Sequence, residues 1–190
     1  MSDLDLQKVL EESGAILRGH FLLTSGRHSD TYFEKFRVLE QPDVLSRLCT
    51  KLASGFPDGV DIVVGPTTGG IIVAFEVARQ MGLPALYVES EDGQRKLRRG
   101  GTISKGSRFL VVDDVYTTGR SIREVISLLT EMGAVLAGVG VLIDRSVHAI
   151  DWGAPLIAAH RVSATSYAAN ELPDWLAAIP LTKPGTRIEK

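Results

Sequence analysis

Cysteine is almost absent from this chain, which has a single one, Cys49, among 190 residues. A lone cysteine cannot form an internal disulfide, and neither it nor the four histidines show the paired spacing of a zinc site. The sequence therefore argues against a disulfide-stapled scaffold and predicts no direct metal ligands. Because Cys49 follows Leu45 and Leu48 at helical spacing, we expect a buried core thiol.

Long apolar runs are also missing. No stretch reaches the ~18 residues that a membrane span needs. The acidic, amphipathic residues 1–14 lack the basic start and the apolar run of a signal peptide. We therefore expect a cytoplasmic protein with no membrane partner.

The chain has no excess of charge of one sign. Its 21 basic and 23 acidic residues give a formal net charge of -2, which supplies no global attraction to polyanions and predicts no nucleic-acid partner. A composition of 44% hydrophobic and 23% charged residues is typical of a globular protein and not of a disordered one. The length favours one domain with a small appended subdomain.

A regular alternation fills the middle of the chain, residues 59–165. Short β-branched runs alternate there with longer helical segments, a pattern typical of βα units on a parallel sheet. The predicted strands cover residues 60–64, 85–89, 109–112 and 135–143, and the predicted helices cover 71–81 and 121–132. We therefore predict an α/β fold with a central parallel sheet flanked by helices.

The segments on either side of this core are less regular. Residues 1–58 predict a small N-terminal hood, and residues 166–190 predict a C-terminal tail. Within the hood we expect helices at 3–12 and 42–54 and strands at 21–24 and 31–38, the two strands flanking a turn at 25–27.

The strongest signal for a site is the segment 113–121. Asp113 and Asp114 are adjacent carboxylates after a buried strand, and carboxylates are good acceptors for sugar hydroxyls. Hydroxyl and glycine residues at a helix start then offer donors to a phosphate; they are Thr117, Thr118, Gly119 and Ser121. Helix capping does not explain the two aspartates, because a cap needs only one acceptor close to the helix and these two lie earlier, at the end of the strand. The segment therefore predicts a site for a phosphorylated ribose.

A second loop, residues 65–70, follows the first predicted core strand. Ligands bind at the carboxyl ends of such strands. Glycines let the backbone approach an anion closely, and the N–H groups of the next helix could hold a pyrophosphate oxygen. From the sequence alone, a purely structural turn is an equally good interpretation of this loop.

Two other classes of site use an apolar strand followed by aspartate. A nucleotidase P-loop needs G-x-x-x-x-G-K-[ST], and the chain contains neither Gly-Lys-Ser nor Gly-Lys-Thr. A phosphoacceptor domain has its acidic pair after the first core strand, where this chain has Gly65 and Pro66. Neither class fits the sequence.

The segment 109–121 resembles the fingerprint of the type I phosphoribosyltransferase family, which is an apolar strand, two acidic residues and a threonine-glycine phosphate loop. Three further stretches are similar to the orotate branch of that family, in the same order: residues 19–29 with Tyr32 and Phe33, residues 143–146, and residues 183–187. The resemblance implies transfer of phosphoribosyl from 5-phosphoribosyl 1-pyrophosphate to orotate, which gives orotidine 5′-phosphate and pyrophosphate in pyrimidine (UMP) biosynthesis.

The resemblance also implies roles for single residues. The implied catalytic residues are Lys96, Asp113 and Asp114. The implied donor-binding residues are Thr67, Thr68, Gly69, Gly70, Arg95, Lys96, Arg98, Arg99, Asp113, Asp114, Val115, Tyr116, Thr117, Thr118, Gly119, Arg120 and Ser121. The implied orotate-binding residues are Ser25, Gly26, Tyr32, Phe33, Thr117 and Arg145, with Arg145 pairing with the orotate carboxylate. The cofactor would be Mg²⁺, and loop 90–101 would reach the neighbouring site of a homodimer.

Some positions differ from the common family pattern. Many orotate enzymes have lysine at the positions of Thr24 and of Gly69 or Gly70, and a histidine in the basic loop, which has none here. Two alternatives stay open: a phosphoribosyltransferase for a purine or another base, and a non-catalytic regulator that binds the same donor. The early position of the hood disfavours a purine enzyme. Taken alone, the basic run at 95–99 also suits a solvated surface.

Overall fold

A computed structural model describes residues 3–23, 25–56, 58–91, 94–97, 101–162 and 165–184. The α-helices are α1 (Asp3–Glu12), α2 (Phe36–Leu39), α3 (Pro42–Gly55), α4 (Gly69–Met81), α5 (Arg120–Glu131) and α6 (Asp174–Ala177). The strands are β1 (Ile16–Leu22), β2 (His28–Phe33), β3 (Ile62–Pro66), β4 (Ala85–Glu91), β5 (Gln94–Leu97), β6 (Arg108–Tyr116), β7 (Val135–Asp144), β8 (Leu156–Arg161), β9 (Ser166–Tyr167) and β10 (Leu181–Thr182). No helix in these ranges is long and apolar enough to cross a membrane.

The core is a six-stranded sheet in the order β5-β4-β3-β6-β7-β8. All neighbouring strands run parallel except the edge strand β5, which is antiparallel to β4. The chain first builds outward from β3 to β4 and then returns to the other side of β3 with β6. This reversal makes a topological switch point between β3 and β6, where doubly wound sheets bind ligands. The predicted α/β fold with a central parallel sheet is confirmed.

Both faces of the sheet are covered, as the apolar strands indicate. In β6, Leu110 and Val112 pack in one cluster with residues of α1, α3 and α4, whereas Phe109 and Val111 pack in a second cluster with residues of α5. Because side chains alternate across a strand, one continuous apolar run fills both clusters. The predicted core thiol is also confirmed: Cys49 is buried on α3, and burial raises its pKa to about 12.

The hood is a second sheet, in the order β10-β1-β2-β9. Its strands come from both ends of the chain, since β9 and β10 lie beyond residue 165. The buried His20 fastens these segments together: its Nδ1–H donates to the carbonyl of Ile179 at 3.0 Å, and its Nε2 lies 2.6 Å from Nδ1 of His28. Much of the segment that the sequence predicts as a tail therefore pairs with the hood.

Three predicted elements need correction. The predicted strand 31–38 is wrong in its second half, because residues 36–39 form the helix α2, whose Val38 and Leu39 are buried. A short apolar run fits a strand or a buried helix equally well. The strand predicted to end at residue 112 continues to Tyr116, because Val115 and Tyr116 pair with the end of β7. The strand predicted at 21–24 is displaced, because β1 covers Ile16–Leu22, and strands β5, β8, β9 and β10 were not predicted.

Candidate active site

An open cleft of about 550 Å³ lies at the switch point, at the carboxyl ends of β3 and β6. The hood covers one side of it and the core forms the other. The cleft is lined by Tyr32, Phe33, Glu34, Lys35, Phe36, Thr67, Thr68, Gly69, Asp113, Asp114, Val115, Thr117, Ser121 and Arg145. The fold thus brings together predicted residues from the hood, both loops and the end of β7.

The acidic pair forms the floor of this cleft. Asp113 is 8% exposed and Asp114 is 6% exposed, and Asp113 Oδ1 accepts a hydrogen bond of 2.8 Å from the backbone N–H of Asp114. Burial and the neighbouring Asp114 charge raise the pKa of Asp113 from 3.8 to about 7. Because an ionised carboxylate only accepts hydrogen bonds, the pair can hold two hydroxyl groups once both members are charged.

The loop at residues 65–70 lies directly against the acidic pair. A Cβ atom at Gly69 would overlap the Asp114 carboxylate, and one at Gly70 would lie 3.3 Å from Asp113 Oδ1. A Cβ at Gly65 would overlap the backbone carbonyl of Gly70. These glycines therefore have a packing role. The N–H of Thr67 already donates to Val88, so the donors left for an anion are those that open α4.

A small cavity of about 50 Å³ lies at the start of α5. Its lining is Asp113, Val115, Thr117, Thr118, Gly119, Arg120, Ser121 and Ile122. Gly119 has a φ of +70° and precedes the helix, so N–H groups of the first turn point into the cavity mouth. A Cβ at Gly119 would lie 2.7 Å from the ring of Trp152, which fixes the loop from behind together with Tyr116.

Arg145 follows β7 and faces the hood across the cleft. Its backbone N–H donates to the carbonyl of Tyr116 at 2.8 Å, which fixes the residue beside the phosphate cavity. Among the described residues its guanidinium has neither a hydrogen bond nor an ion pair, and burial lowers its pKa. Burial, and then the charge of Glu34, raises the pKa of Tyr32, whereas Arg145 opposes that shift. A half-buried cation without an anion is suited to an anionic ligand.

The residue before Arg145 supports its position. Asp144 is buried and accepts hydrogen bonds from the backbone of Ser146 at 2.8 Å and from Arg161 Nη2 at 2.6 Å. Burial alone raises the pKa of Asp144, but these hydrogen bonds outweigh it, so the pKa is lowered. The loop that presents Arg145 is therefore anchored by a charged side chain.

Several predicted residues lie outside the cleft. Arg95 Nε contacts Glu124 Oε2 at 2.8 Å, Lys96 Nζ contacts Glu91 Oε2 at 2.8 Å, and Arg120 also pairs with Glu124. Tyr116 is buried beneath the phosphate loop, and Ser25 and Gly26 form an exposed turn that does not line the cleft. The predicted residues Arg98 and Arg99, the variable position Thr24 and most of the ending 183–187 lie outside the described residues.

The sequence reasoning missed three residues that line the cleft: Glu34, Phe36 and, in contact with the acidic pair, Lys35. Its Nζ lies 2.9 Å from Asp114 Oδ2, so a hood residue meets a core carboxylate 79 positions away along the chain (114 minus 35). No local motif marks this contact. The available signal was its place directly after the aromatic pair, Tyr32 and Phe33, that the resemblance assigns to the base.

Cleft size alone does not identify the site. A second cleft, of about 400 Å³, lies near the amino ends of β3 and β4, between α3 and the end of α4. Its polar lining is limited to neutral side chains, Thr50, Ser54 and Gln80. It offers neither the charge nor the donors that bind a phosphate, whereas the switch-point cleft has both.

The fold and the site define an α/β protein whose switch-point cleft suits a phosphorylated ribose. Residues 39–157 match the phosphoribosyl transferase domain. The chain is 46% identical to an orotate phosphoribosyltransferase of Pelotomaculum thermopropionicum over 184 residues, 96% of this chain and 97% of that protein. It is 45% identical to one of Caldanaerobacter subterraneus over 181 residues, 95% of each chain.

The fold comparison agrees with these relatives. The crystal structure of orotate phosphoribosyltransferase from Aeropyrum pernix matches with a TM-score of 0.70 and 32% identity, over 83% of this chain and 93% of that chain. The chain therefore belongs to the orotate phosphoribosyltransferase family.

The raised pKa of Asp113 predicts how Asp113→Asn changes stability. The pKa of Asp113 is about 7 in the folded chain and 3.8 in its ordinary, unburied state. Protonation of Asp113 therefore stabilises the folded state, and this contribution is complete below about pH 4 and is lost as the pH rises through 7. Asparagine cannot ionise, and its side-chain oxygen can still accept the hydrogen bond from Asp114. We expect the variant to be more stable than the wild type by roughly 1–2 kcal/mol at pH 8, with little difference at pH 4.5.

Urea unfolding at the two pH values measures this difference. The exposed Asp58→Asn is the control and should change stability little at either pH. A stability difference for Asp113→Asn that is the same at both pH values would show that the buried carboxyl does not retain its proton.

Proposed function

We propose that this chain transfers the phosphoribosyl group of 5-phosphoribosyl 1-pyrophosphate to orotate, a step of pyrimidine biosynthesis. The bond from the anomeric carbon to the pyrophosphate oxygen breaks, and a bond from that carbon to the ring nitrogen of orotate forms. Pyrophosphate leaves with the bonding electron pair. The ring nitrogen attacks in its deprotonated form, so the protein needs no strong base.

One observation carries this proposal: groups for each part of the two substrates converge in a single cleft. The acidic pair accepts hydroxyl groups, the loop at 117–121 offers donors to a phosphate, and the start of α4 offers donors to a pyrophosphate. Arg145 supplies a half-buried cation without an anion, beside Tyr32 and Phe33. A carboxylated ring held between an arginine and aromatic residues fits this side of the cleft.

In this proposal, catalysis is mostly positioning and electrostatics. Asp113 and Asp114 hold the 2′- and 3′-hydroxyls, which orients the anomeric carbon toward the base. Thr117, Thr118, Gly119 and Ser121 hold the 5′-phosphate, while Thr67, Thr68, Gly69 and Gly70 hold the pyrophosphate. Fixed donors then stabilise the charge that develops on the leaving group.

The proposal includes Mg²⁺, carried by the sugar donor. The described residues contain no group of three His, Cys, Asp or Glu side chains that could hold a metal ion. Mg²⁺ nevertheless suits sites with substrate oxygens and several waters, which agrees with an acidic pair beside a pyrophosphate loop. The ion would neutralise charge on the pyrophosphate, with no direct protein ligand.

A homodimer in the cytoplasm is also part of the proposal. Lys96 lies outside the cleft of its own chain, and a loop that serves the neighbouring site would give its charge a role there. Phe75 is 65% exposed and Ile72 is 40% exposed on α4, beside the exposed Phe36. Such an apolar face suits contact with a second copy. The buried free thiol of Cys49 fits a reducing compartment.

Loss of orotate absorbance tests the reaction directly. Purified protein with 5-phosphoribosyl 1-pyrophosphate and Mg²⁺ should consume orotate and leave adenine, hypoxanthine and uracil unchanged. Turnover of one of the other bases would keep the donor site and reassign the base side of the cleft. Donor binding without turnover of any base would favour a non-catalytic regulator.

Arg145→Ala should weaken orotate binding selectively. Loss of a charge-assisted, bidentate contact should raise KM for orotate by about 10- to 100-fold, with KM for the sugar donor changed less than about twofold. Steady-state kinetics with each substrate varied in turn measures both constants. Arg47→Ala, an exposed arginine on α3, is the control. Equal increases in both constants would contradict the role of Arg145.

Mixing two inactive variants tests the shared site. Asp113→Asn/Asp114→Asn should remove the acidic pair from its own cleft, and Lys96→Ala should remove the loop cation from the neighbouring one. A mixed dimer then has one intact site of two, so refolding an equal mixture should restore about one quarter of wild-type activity. A mixture that remains inactive would show that Lys96 serves the cleft of its own chain.

A further inference from the structure

The acidic pair has one close cationic neighbour among the described residues. Lys35 Nζ lies 2.9 Å from Asp114 Oδ2, in an ion pair between a side chain that is 40% exposed and one that is 8% exposed. Burying two adjacent negative charges is costly unless a cation is close. Lys35 therefore adds, from outside the core, to the charge compensation that Arg95 of β5 also provides.

This ion pair does not satisfy the hydrogen-bonding capacity of the Asp114 carboxylate. Asp114 Oδ2 is fully buried and has no hydrogen-bond partner in the described structure, although Lys35 approaches it. The contact is thus an ion pair without hydrogen-bond geometry. A buried carboxylate oxygen without a hydrogen bond is unfavourable, and because Asp114 lines the cleft, a ligand hydroxyl that reaches this carboxylate would supply the missing donor.

The backbone of Lys35 is fixed, so the position of its ammonium group is not accidental. Lys35 precedes α2, and its carbonyl accepts hydrogen bonds from Val38 and Leu39 at 3.0 and 3.1 Å. Both of these residues are buried in the core cluster of α3 and α4. The short helix therefore anchors a hood lysine over the end of β6, and its Nζ also lies 5.5 Å from the ring centroid of Phe36.

We propose that Lys35 is a positioning residue of this site: its ammonium group offsets the negative charge of the buried acidic pair and holds the Asp114 carboxylate at the cleft, where it accepts a ribose hydroxyl. The inference rests on the proposed function, because it takes a ribose as the ligand of the pair. Through Lys35, the hood would contribute charge to the binding of the sugar donor, in addition to covering the base.

The charged groups around the pair define what the removal of Lys35 changes. Lys35 faces it from the hood, Arg95 from β5, and Arg145 from the end of β7, whereas Glu34 lines the same cleft with a negative charge. Lys35 and Arg95 both lower the pKa of Asp113, against burial and Asp114. Without Lys35, ionisation of Asp113 should require a higher pH.

Binding of ribose 5-phosphate across pH 5.5–9.5, followed by calorimetry, tests this role without any need for turnover. Affinity in the wild type should rise as the pH passes through about 7. In Lys35→Met the midpoint should move up by about one pH unit, with about fivefold weaker binding at pH 7 and recovery at pH 9. Lys35→Arg should restore the wild-type midpoint, since it restores the charge.

Two controls separate this role from a structural one. Lys8→Met breaks an exposed ion pair with Glu12 on α1 and should leave the midpoint unchanged. A uniform loss of affinity for Lys35→Met at every pH, with the midpoint unmoved, would mean that Lys35 only ties the hood to the core and would overturn the proposal. Circular dichroism checks folding, and Lys35→Gln replaces Lys35→Met if that variant does not fold.

The proposed function and the Lys35 role fail in different ways. A wild-type protein that binds ribose 5-phosphate but consumes no orotate refutes the reaction, and the comparison of midpoints still decides the role of Lys35. Orotate turnover with identical midpoints in the wild type and Lys35→Met supports the reaction and refutes the role.

Discussion

The burial of two adjacent carboxylates at the end of β6 is the constraint on which the rest of the site depends. Asp113 and Asp114 are less than one-tenth exposed, so charge on them is unfavourable until neighbours compensate. In this chain the facing loop has glycine at positions 69 and 70, where a Cβ would overlap the Asp114 carboxylate at Gly69 and crowd Pro66 at Gly70. The same burial raises the pKa of Asp113 and leaves space for a cation from outside the core.

That cation comes from the hood, which makes the hood part of the site's electrostatics. The hood sheet combines strands from both ends of the chain, and the buried His20 joins them through the carbonyl of Ile179. The short helix α2 then links this sheet to the core cluster and carries Lys35 at its start. The two chain ends therefore determine where a positive charge stands over the carboxyl end of β6. The hood therefore contributes to the cleft both a charge, through Lys35, and aromatic lining, through Tyr32 and Phe33.

Features that depend on a local residue pattern could be predicted from the sequence, whereas contacts between residues far apart along the chain could not. The parallel sheet follows from apolar runs alternating with helices, and the loop at 113–121 follows from residue types within one stretch. The ion pair of Lys35 with Asp114 joins residues with no shared motif, so only the folded chain reveals it. Strand β10 is two residues long and acquires its conformation by pairing with β1, which no periodicity can signal. The helix at 36–39 was predicted as a strand because four apolar-rich residues fit either period.

The positive charges of the chain separate into two groups with different energetic requirements. In the part of the chain that the structure describes, Arg145 is half-buried and has no anionic partner, and Lys35 contacts a buried carboxylate, so both lie in the cleft where a ligand would bind. Lys96 instead forms an exposed pair with Glu91, and exposed pairs contribute only ~0–1 kcal/mol. Lys96 can therefore leave Glu91 and contact a pyrophosphate with little loss of free energy. Fixed cations in the cleft and a readily released one on β5 therefore suit a reaction in which the sugar and base are held throughout while the leaving group is bound only briefly.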